Sequence, residues 1–461
     1  MWMGGNTLQR VNSAEVIGNG KFNRFHWMLL FWCFVIIMFD GYDLVMFGTV
    51  VPVLIEEWNL TSVEAGAMSS YGLFGMTFGA ILFGILADRV GRKKMIVLAI
   101  IEFSLFTFLC GFAESPALFS IYRFLAGLGL GGIMPNVIAL ATDYAPRNRK
   151  SIMVSIVLCG YSIGGMIAPL LGILLMPSMG WEIIFWIAGA PILLIPILIK
   201  QLPESAGYLI RKGRTDELAT TLLKVNPEYQ LPENAVFVMA EKEEKIPVIG
   251  LFKESRLLST IMFWIVFFMC LLMIFGLNTW LPNLMMSAGY GLNSSLAFLI
   301  ALQVGAIVGT LIIGGLCDRY GAKKMLVPLY LLGAVGLTLL GFGGPTFYIY
   351  ILVGITGACT VGAQNLIQAY VSQYYPPHMR STALGVASGI GRFGGMVGPI
   401  MGGILLTIEL PIYYYFIAFA IPGLLAALAL SLVSTKKAYH SVQDQQVKRK
   451  TIGNQPAVSS H

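Results

Sequence analysis

The chain has 461 residues, 57% hydrophobic and 11% charged, with a formal charge of +7, whereas an ordinary soluble domain is about 25% charged. A globular fold this apolar has too few polar groups to face water, so the composition excludes a soluble protein and makes lipid the solvent. The six cysteines stand singly and the four histidines do not cluster, which leaves no metal site and no disulfide framework, and no Walker loop or Ser/His/Asp arrangement marks an enzyme or a nucleotide-driven pump.

Residues 1–26 are mixed polar and precede a first apolar run long enough to span, so they read as a tail rather than as a cleaved leader. Runs of about 20 apolar residues, enough for about 30 Å of hydrocarbon, follow at 27–51, 66–87, 94–113, 116–141, 152–176 and 182–200. A polar stretch, 201–256, reads as a linker. Six more runs fall at 257–281, 295–317, 325–343, 346–370, 382–407 and 411–434, and 435–461 is a polar tail. The expected organisation is therefore an N-terminal half, 27–200, and a C-terminal half, 257–434, of six helices each.

Of the 30 Lys and Arg residues, all but Arg123 and Arg392 lie in the tails or in alternate loops; the other loops hold only Glu56, Glu57, Glu64, Glu114, Glu182 and Glu409. The positive-inside rule then makes both termini and the linker cytoplasmic in a multi-pass plasma-membrane protein. The basic balance is topological, and nucleic-acid binding is not needed to explain it.

An internal repeat runs through the chain. GILADRVGRKK (84–94) recurs as GGLCDRYGAKK (314–324), an offset of 230, and the same offset aligns Tyr144 with Tyr374, Gly164-Gly165-Met166 with Gly394-Gly395-Met396, and Pro169 with Pro399. The chain is a duplicated six-span unit with parallel repeats. On these residues, together with RFLAGLGLGG (123–132), GYSIGGMIAPLLG (160–172) and LPESAGYL (202–209), the chain resembles the major facilitator superfamily along nearly its whole length. FDGYDLVMFGTVVP (39–52) is similar, more narrowly, to the aromatic acid:proton symporter branch, whose first span carries an Asp-Gly-x-Asp pair. The resemblance implies an all-α membrane protein of twelve transmembrane helices in two pseudo-symmetric halves. It also implies a proton-coupled carrier of benzoate, hydroxybenzoates or similar acids.

The charges inside spans are the informative ones, because such residues face a cavity or a partner. Asp40 and Asp43, three apart on one helix face, occupy positions where the second repeat has Cys270 and Met273. The scaffold does not require them, and two close carboxylates in a dry site do not both ionise easily, which suits proton coupling. Arg392 offers a planar fork for a substrate carboxylate, Arg123 could share that role, and their repeat counterparts are uncharged Ser162 and Val353. Gln364, Asn365 and Asn278 are candidates for polar substrate contacts, and Tyr161 for stacking on a ring. In the loops, Asp88 with Arg89 and Arg92, and Asp318 with Arg319, are expected to latch the cytoplasmic side. The partner of Asp88 is Arg147 or Arg149, and that of Asp318 is Arg380. Glu102 has no motif around it and reads as a snorkelled or partnered structural residue.

The function that the resemblance implies, and that these charges suit, is secondary, proton-coupled uptake of a small aromatic carboxylate by alternating access, one chain sufficing, with no cofactor and no catalytic residues. Two alternatives remain open: another organic anion, nicotinate-like or a dicarboxylate, and a non-transporting receptor on the same scaffold.

Overall fold

The computed structural model describes residues 9–232, 235–238, 248–252, 256–435 and 438. The side chain of Asp318, one of the expected latch residues, lies outside the described residues, as does most of the 435–461 tail.

Among the described residues twelve helical rods account for the apolar runs. The first set is Arg24–Glu57, Ser62–Val90, Arg92–Cys110, Pro116–Asp143, Lys150–Met179, and a sixth rod broken into Glu182–Ala188 and Pro191–Gln201. The second set is Leu257–Ser287, Leu292–Tyr320, Ala322–Leu340, Thr346–Tyr374, Pro377–Leu406 and Ile412–Leu432. The rods overrun the apolar runs because polar residues at their ends cap them. Asn23 accepts from the Phe25 amide, Thr61 and Glu64 form a capping box, and Ser115 caps a helix whose first residue is Pro116. Among the described residues eleven of these rods are long and apolar enough to cross a membrane by hydropathy. The remaining one, Arg92–Cys110, opens on Arg92, Lys93 and Lys94 and carries Glu102 at its middle.

The repeat is visible in the rods themselves. Ser62–Val90 and Leu292–Tyr320 are each 29 residues and start 230 apart; Arg92–Cys110 and Ala322–Leu340 are each 19 residues with the same offset. Between the members of each pair stands a glycine with positive φ, +106° at Gly91 and +94° at Gly321, a conformation that only glycine adopts at little cost. One departure from regularity distinguishes the second set: the rod 346–374 contains a π-turn at Ala358–Gly362, a feature that often marks functional positions.

By contacts the chain separates into two compact units, one of Met1–Lys242, Asn278–Gln303 and Pro399–Ile408, the other of Glu243–Leu277, Val304–Gly398 and Glu409–His461. These units cut across the boundary between the two sets of six rods. The first unit has a core built on Leu29, Ile37, Ile96, Phe103, Ile133 and Tyr144, all almost fully buried. The core of the second contains Phe263, Phe267, Cys270, Tyr330, Ile367 and Tyr374.

The polar tail and linker are more structured than their composition suggests. Gln9–Asn12 (β1) pairs in parallel with Ala235–Val238 (β2), in register from Gln9 against Ala235 to Asn12 against Val238. The short helix Ser13–Gly18 follows β1, and the helix Thr215–Val225 lies in the linker. Val11, Val16 and Ile17 share a buried core with Leu218, Leu222, Val225 and Phe237. Side chains tie the two segments as well: Asn23 Nδ2 donates to the Lys224 and Val225 carbonyls at 2.9 and 3.1 Å, and Asn226 Nδ2 to the Val16 carbonyl at 3.3 Å.

Candidate functional site

The first rod, Arg24–Glu57, carries Asp40 and Asp43 near its middle, and both are almost wholly buried, 2% and 3% exposed. The rod passes unusually close to Lys150–Met179. A Cβ on Gly41 would overlap the Tyr161 carbonyl oxygen, so the two backbones touch where a side chain would hold them apart. Tyr42 points away from the acids, its hydroxyl donating to the Ile184 carbonyl at 2.8 Å.

Asp43 meets Arg123 of the rod Pro116–Asp143. Arg123 Nη1 donates to Asp43 Oδ1 at 2.7 Å and Nη2 to Oδ2 at 3.1 Å, with the arginine 5% exposed. The geometry is the bidentate fork that suits guanidinium and carboxylate, and burial makes it stronger than a surface pair. A Cβ on Gly72 would lie 3.1 Å from Arg123 Nη2, so the glycine of a third rod makes room for the cation. Arg123 Nε is buried and has no hydrogen-bond partner among the described residues. A buried charged donor without an acceptor is costly, and it leaves the guanidinium one bond short while Asp43 holds the other edge.

The remaining sequence-derived candidates fall in two groups. In the first unit, Tyr161 is half-buried. Asn278 is 1% exposed and accepts from Gln303 Nε2 at 3.3 Å. In the second unit, Arg392 is half-buried. Gln364 is 6% exposed, and its Oε1 has no hydrogen-bond partner among the described residues. Asn365 Nδ2 donates to Thr310 Oγ1 at 3.2 Å. Gln364 and Asn365 directly follow the π-turn at Ala358–Gly362.

Around Asn278 the first unit holds a polar seam whose other members, Trp280 apart, sequence reasoning missed. Ser69 Oγ and Thr279 Oγ1 are 3.0 Å apart, Trp280 Nε1 donates to the Pro399 carbonyl at 2.8 Å, and a Cβ on Gly48 would overlap the Asn278 carbonyl oxygen. Gln303, 0% exposed, is the lone amide in LAFLIALQVGAIVG; that solitary polar residue was the signal available.

At the Lys/Arg-rich end the expected latch has different partners. The carboxylate of Asp88 is exposed and pairs with neither Arg147 nor Arg149 among the described residues; both arginines are exposed. What Asp88 supplies is its carbonyl, which accepts from Arg211 Nη2 at 3.0 Å. The ion pair of this loop is Arg92 Nη1 to Asp143 Oδ2 at 2.5 Å. Capping of the neighbouring helix falls to Glu204, which is 3% exposed and accepts from the Lys93 amide at 3.1 Å and the Ser205 amide at 2.9 Å. The carboxylate thus sits at the positive end of the rod Arg92–Cys110, and Tyr144 Oη donates to the Glu204 carbonyl. Glu204 belongs to the LPESAGYL stretch, so its motif was legible although its role was not. Arg89 is exposed, Arg319 stands 5.4 Å over the Tyr320 ring, and Arg380 Nε donates to the Tyr375 carbonyl at 3.1 Å.

Twelve rods in duplicated sets, a glycine turn used twice between consecutive rods in a basic loop, and a buried Asp–Arg pair in the first set are the marks of a membrane carrier rather than an enzyme. The family profile of the Major Facilitator Superfamily matches residues 33–309 and 295–459, and the chain belongs to that superfamily, as a multi-pass membrane protein. Among curated proteins it is 44% identical over 439 residues to the benzoate transport protein of Acinetobacter baylyi, with 94% of each chain covered. It is 37% identical to the gentisate transporter of Corynebacterium glutamicum, covering 95% of this chain and 96% of that one. It is 32% identical to the 4-hydroxybenzoate transporter PcaK of Acinetobacter baylyi, covering 92% and 94%. Among solved structures, the inward-open xylose transporter XylE of E. coli superposes with a TM-score of 0.71 over 91% of this chain and 99% of that one, at 16% identity, a likeness of fold alone.

Proposed function

We propose that this chain is a secondary transporter that takes up a small aromatic carboxylate, such as benzoate or a hydroxybenzoate, together with protons, by alternating access. The observation that carries the proton half of this reading is the buried Asp43–Arg123 fork with Asp40 one turn away on the same rod. Relatives that are 44%, 37% and 32% identical and named for benzoate, gentisate and 4-hydroxybenzoate support the substrate half.

The chemistry works by exchange of partners. With Asp43 ionised, both terminal nitrogens of Arg123 are occupied. A proton on Asp43 removes the charge that holds the fork and makes Arg123 available as a cation in a dry site, where an incoming carboxylate binds strongly. Arg392, a second cation inside a span, is the principal anchor for the substrate carboxylate, and Gln364, Asn365, Asn278 and Tyr161 contact the ring and its substituents. Proton and anion therefore favour each other's binding, which is what symport requires. Asp40 relays or shares the proton.

The bias of Lys and Arg to alternate loops sets the orientation, with both termini and the linker in the cytoplasm. The halves 27–200 and 257–434 rock about the site, and the loop residues Asp88, Arg89, Arg92, Asp318, Arg319, Arg147, Arg149 and Arg380 gate its cytoplasmic side. One chain holds a complete pathway.

The test is proteoliposomes with a pH electrode outside. Adding benzoate should make the exterior more alkaline as protons enter with the acid. A bound substrate that moves no protons would make the protein a receptor or a uniporter. A panel of nicotinate, dicarboxylates and hydroxybenzoates competing with labelled benzoate then ranks the substrate; competition by dicarboxylates alone would overturn the aromatic reading.

A further inference from the structure

Glu102 has no part in the mechanism above, and its position needs an account. It lies on the rod Arg92–Cys110, ten residues from one end and eight from the other. At 1.5 Å per residue that is about 15 Å and 12 Å, so the carboxyl sits near the midplane of a hydrocarbon layer about 30 Å thick. The side chain is half-buried. Its neighbours on that flank face outward, with Leu98 48%, Ile101 38% and Leu105 41% exposed. Two ordinary resolutions fail. Snorkelling does not work from the midplane, because the side chain is too short to reach either surface. Pairing is absent among the described residues as well, since none of them forms a hydrogen bond or ion pair with the Glu102 side chain. An acid so placed costs free energy that a leucine would not, and intramembrane acids are rare for that reason.

In hydrocarbon the neutral acid is the form that costs least, and it carries one donor and one acceptor. Another neutral carboxyl at the same depth satisfies both at once, each acid donating to the other. A second copy of this chain is the one partner certain to supply such a group. Two copies inserted in the same orientation bring Glu102 to the same depth, and a two-fold axis along the membrane normal places like residues opposite each other. The surrounding surface suits a helix pair: Leu98, Ile101, Leu105 and Phe108 of this rod are all exposed, and their spacing is three, four and three. That is the 3.5-residue period of a left-handed helix crossing, the prevalent arrangement between membrane helices.

We propose that in the bilayer the rod Arg92–Cys110 pairs with its counterpart in a second copy, through reciprocal hydrogen bonds between the two neutral Glu102 carboxyls set in the Leu98–Ile101–Leu105–Phe108 seam. Each chain keeps its own transport pathway, so the pairing is independent of the substrate assignment.

The experiment uses the full chain, labelled with one fluorophore, in liposomes across a range of protein-to-lipid ratios. Single-molecule photobleaching counts chains per spot. Wild type should shift from one bleaching step to two as the ratio rises. Glu102→Leu should need a roughly tenfold higher ratio to pair, since interhelical hydrogen bonds in membranes are individually modest. Glu102→Gln, whose amide also donates and accepts, should stay within about threefold of wild type. Glu102→Leu removes a costly polar group from a span, so impaired insertion is not expected, and transport per chain serves as the folding control. A wild type that remains single at every ratio overturns the proposal. So does a Glu102→Leu chain that pairs as well as wild type, which would assign the association to apolar packing alone.

Discussion

Replacing Asp43 by Asn separates the two roles that its carboxylate combines. Asp43 supplies both acceptors for Arg123, at 2.7 and 3.1 Å, with both residues at most 5% exposed. Removing one partner of such a pair leaves a buried charge and costs about 3–5 kcal/mol. Asparagine retains one acceptor oxygen, so the lower end of that range is expected, about 3 kcal/mol of stability. Coupling has a separate magnitude. One pH unit corresponds to about 1.4 kcal/mol per proton, so one-proton symport against an imposed difference of one unit supports a roughly tenfold accumulation of acid. The Asp43→Asn chain has no proton to exchange at this position and should reach no accumulation, while counterflow between labelled and unlabelled acid continues. The double variant Asp43→Asn/Arg123→Gln contains no buried charge at the pair, so it should recover most of the lost stability yet still fail to accumulate. Both variants are read in proteoliposomes by labelled uptake with and without the pH difference, beside thermal melting in detergent. Tenfold accumulation by Asp43→Asn would refute the reasoning, since the proton would then travel by another route.

Arg392→Ala should weaken binding of the acid about 10- to 100-fold, the loss of a charge-assisted contact, measured by isothermal titration. Unaltered affinity would transfer the carboxylate to Arg123. Gly41→Ala should lower the melting temperature sharply, because a Cβ there overlaps the Tyr161 carbonyl oxygen and the rods must separate, at about 3 kcal/mol or more; fluorescence-detected size exclusion after a heat step gives the result. Glu204→Ala should cost about 1–2 kcal/mol through loss of the cap on Lys93 and Ser205, whereas Glu204→Gln, which keeps an acceptor oxygen, should cost less by the same assay.

What was legible in the sequence was set by strong, local physics. Apolar run length and the one-sided placement of Lys and Arg defined the rods, and the offset of 230 survives in rods of equal length and in two positive-φ glycines. The burial of Asp40, Asp43 and Arg123 followed from their charge in an apolar run, because only a partner or a cavity tolerates it. Partner choice was not legible. The sequence offered Arg147 or Arg149 as the ion-pair partner of Asp88; the fold pairs Arg92 with Asp143 and caps the next helix with Glu204. Such choices depend on which side chains converge across a distance of 51 residues for Arg92 and Asp143 and 111 for Lys93 and Glu204, and no periodicity encodes that. The two-stranded pairing of the tail with the linker was hidden for the same reason, since four-residue strands carry little pattern of their own.

The pairing of Gln9–Asn12 with Ala235–Val238 imposes a timetable on synthesis. Each residue of β1 waits for a partner 226 positions later in the chain, which at 5–20 residues per second is about 11–45 s of translation. During that interval six spans enter the membrane with the first strand unpaired, its core partners Leu218, Leu222 and Phe237 not yet made. The pairing forms only after the sixth span has been made, so it closes the first set of helices as a late step, and a chain stalled before residue 235 emerges cannot acquire it. Fusing a bulky partner directly ahead of Gln9 places the load on the segment that waits longest, which makes the far end of the chain the better place for a reporter.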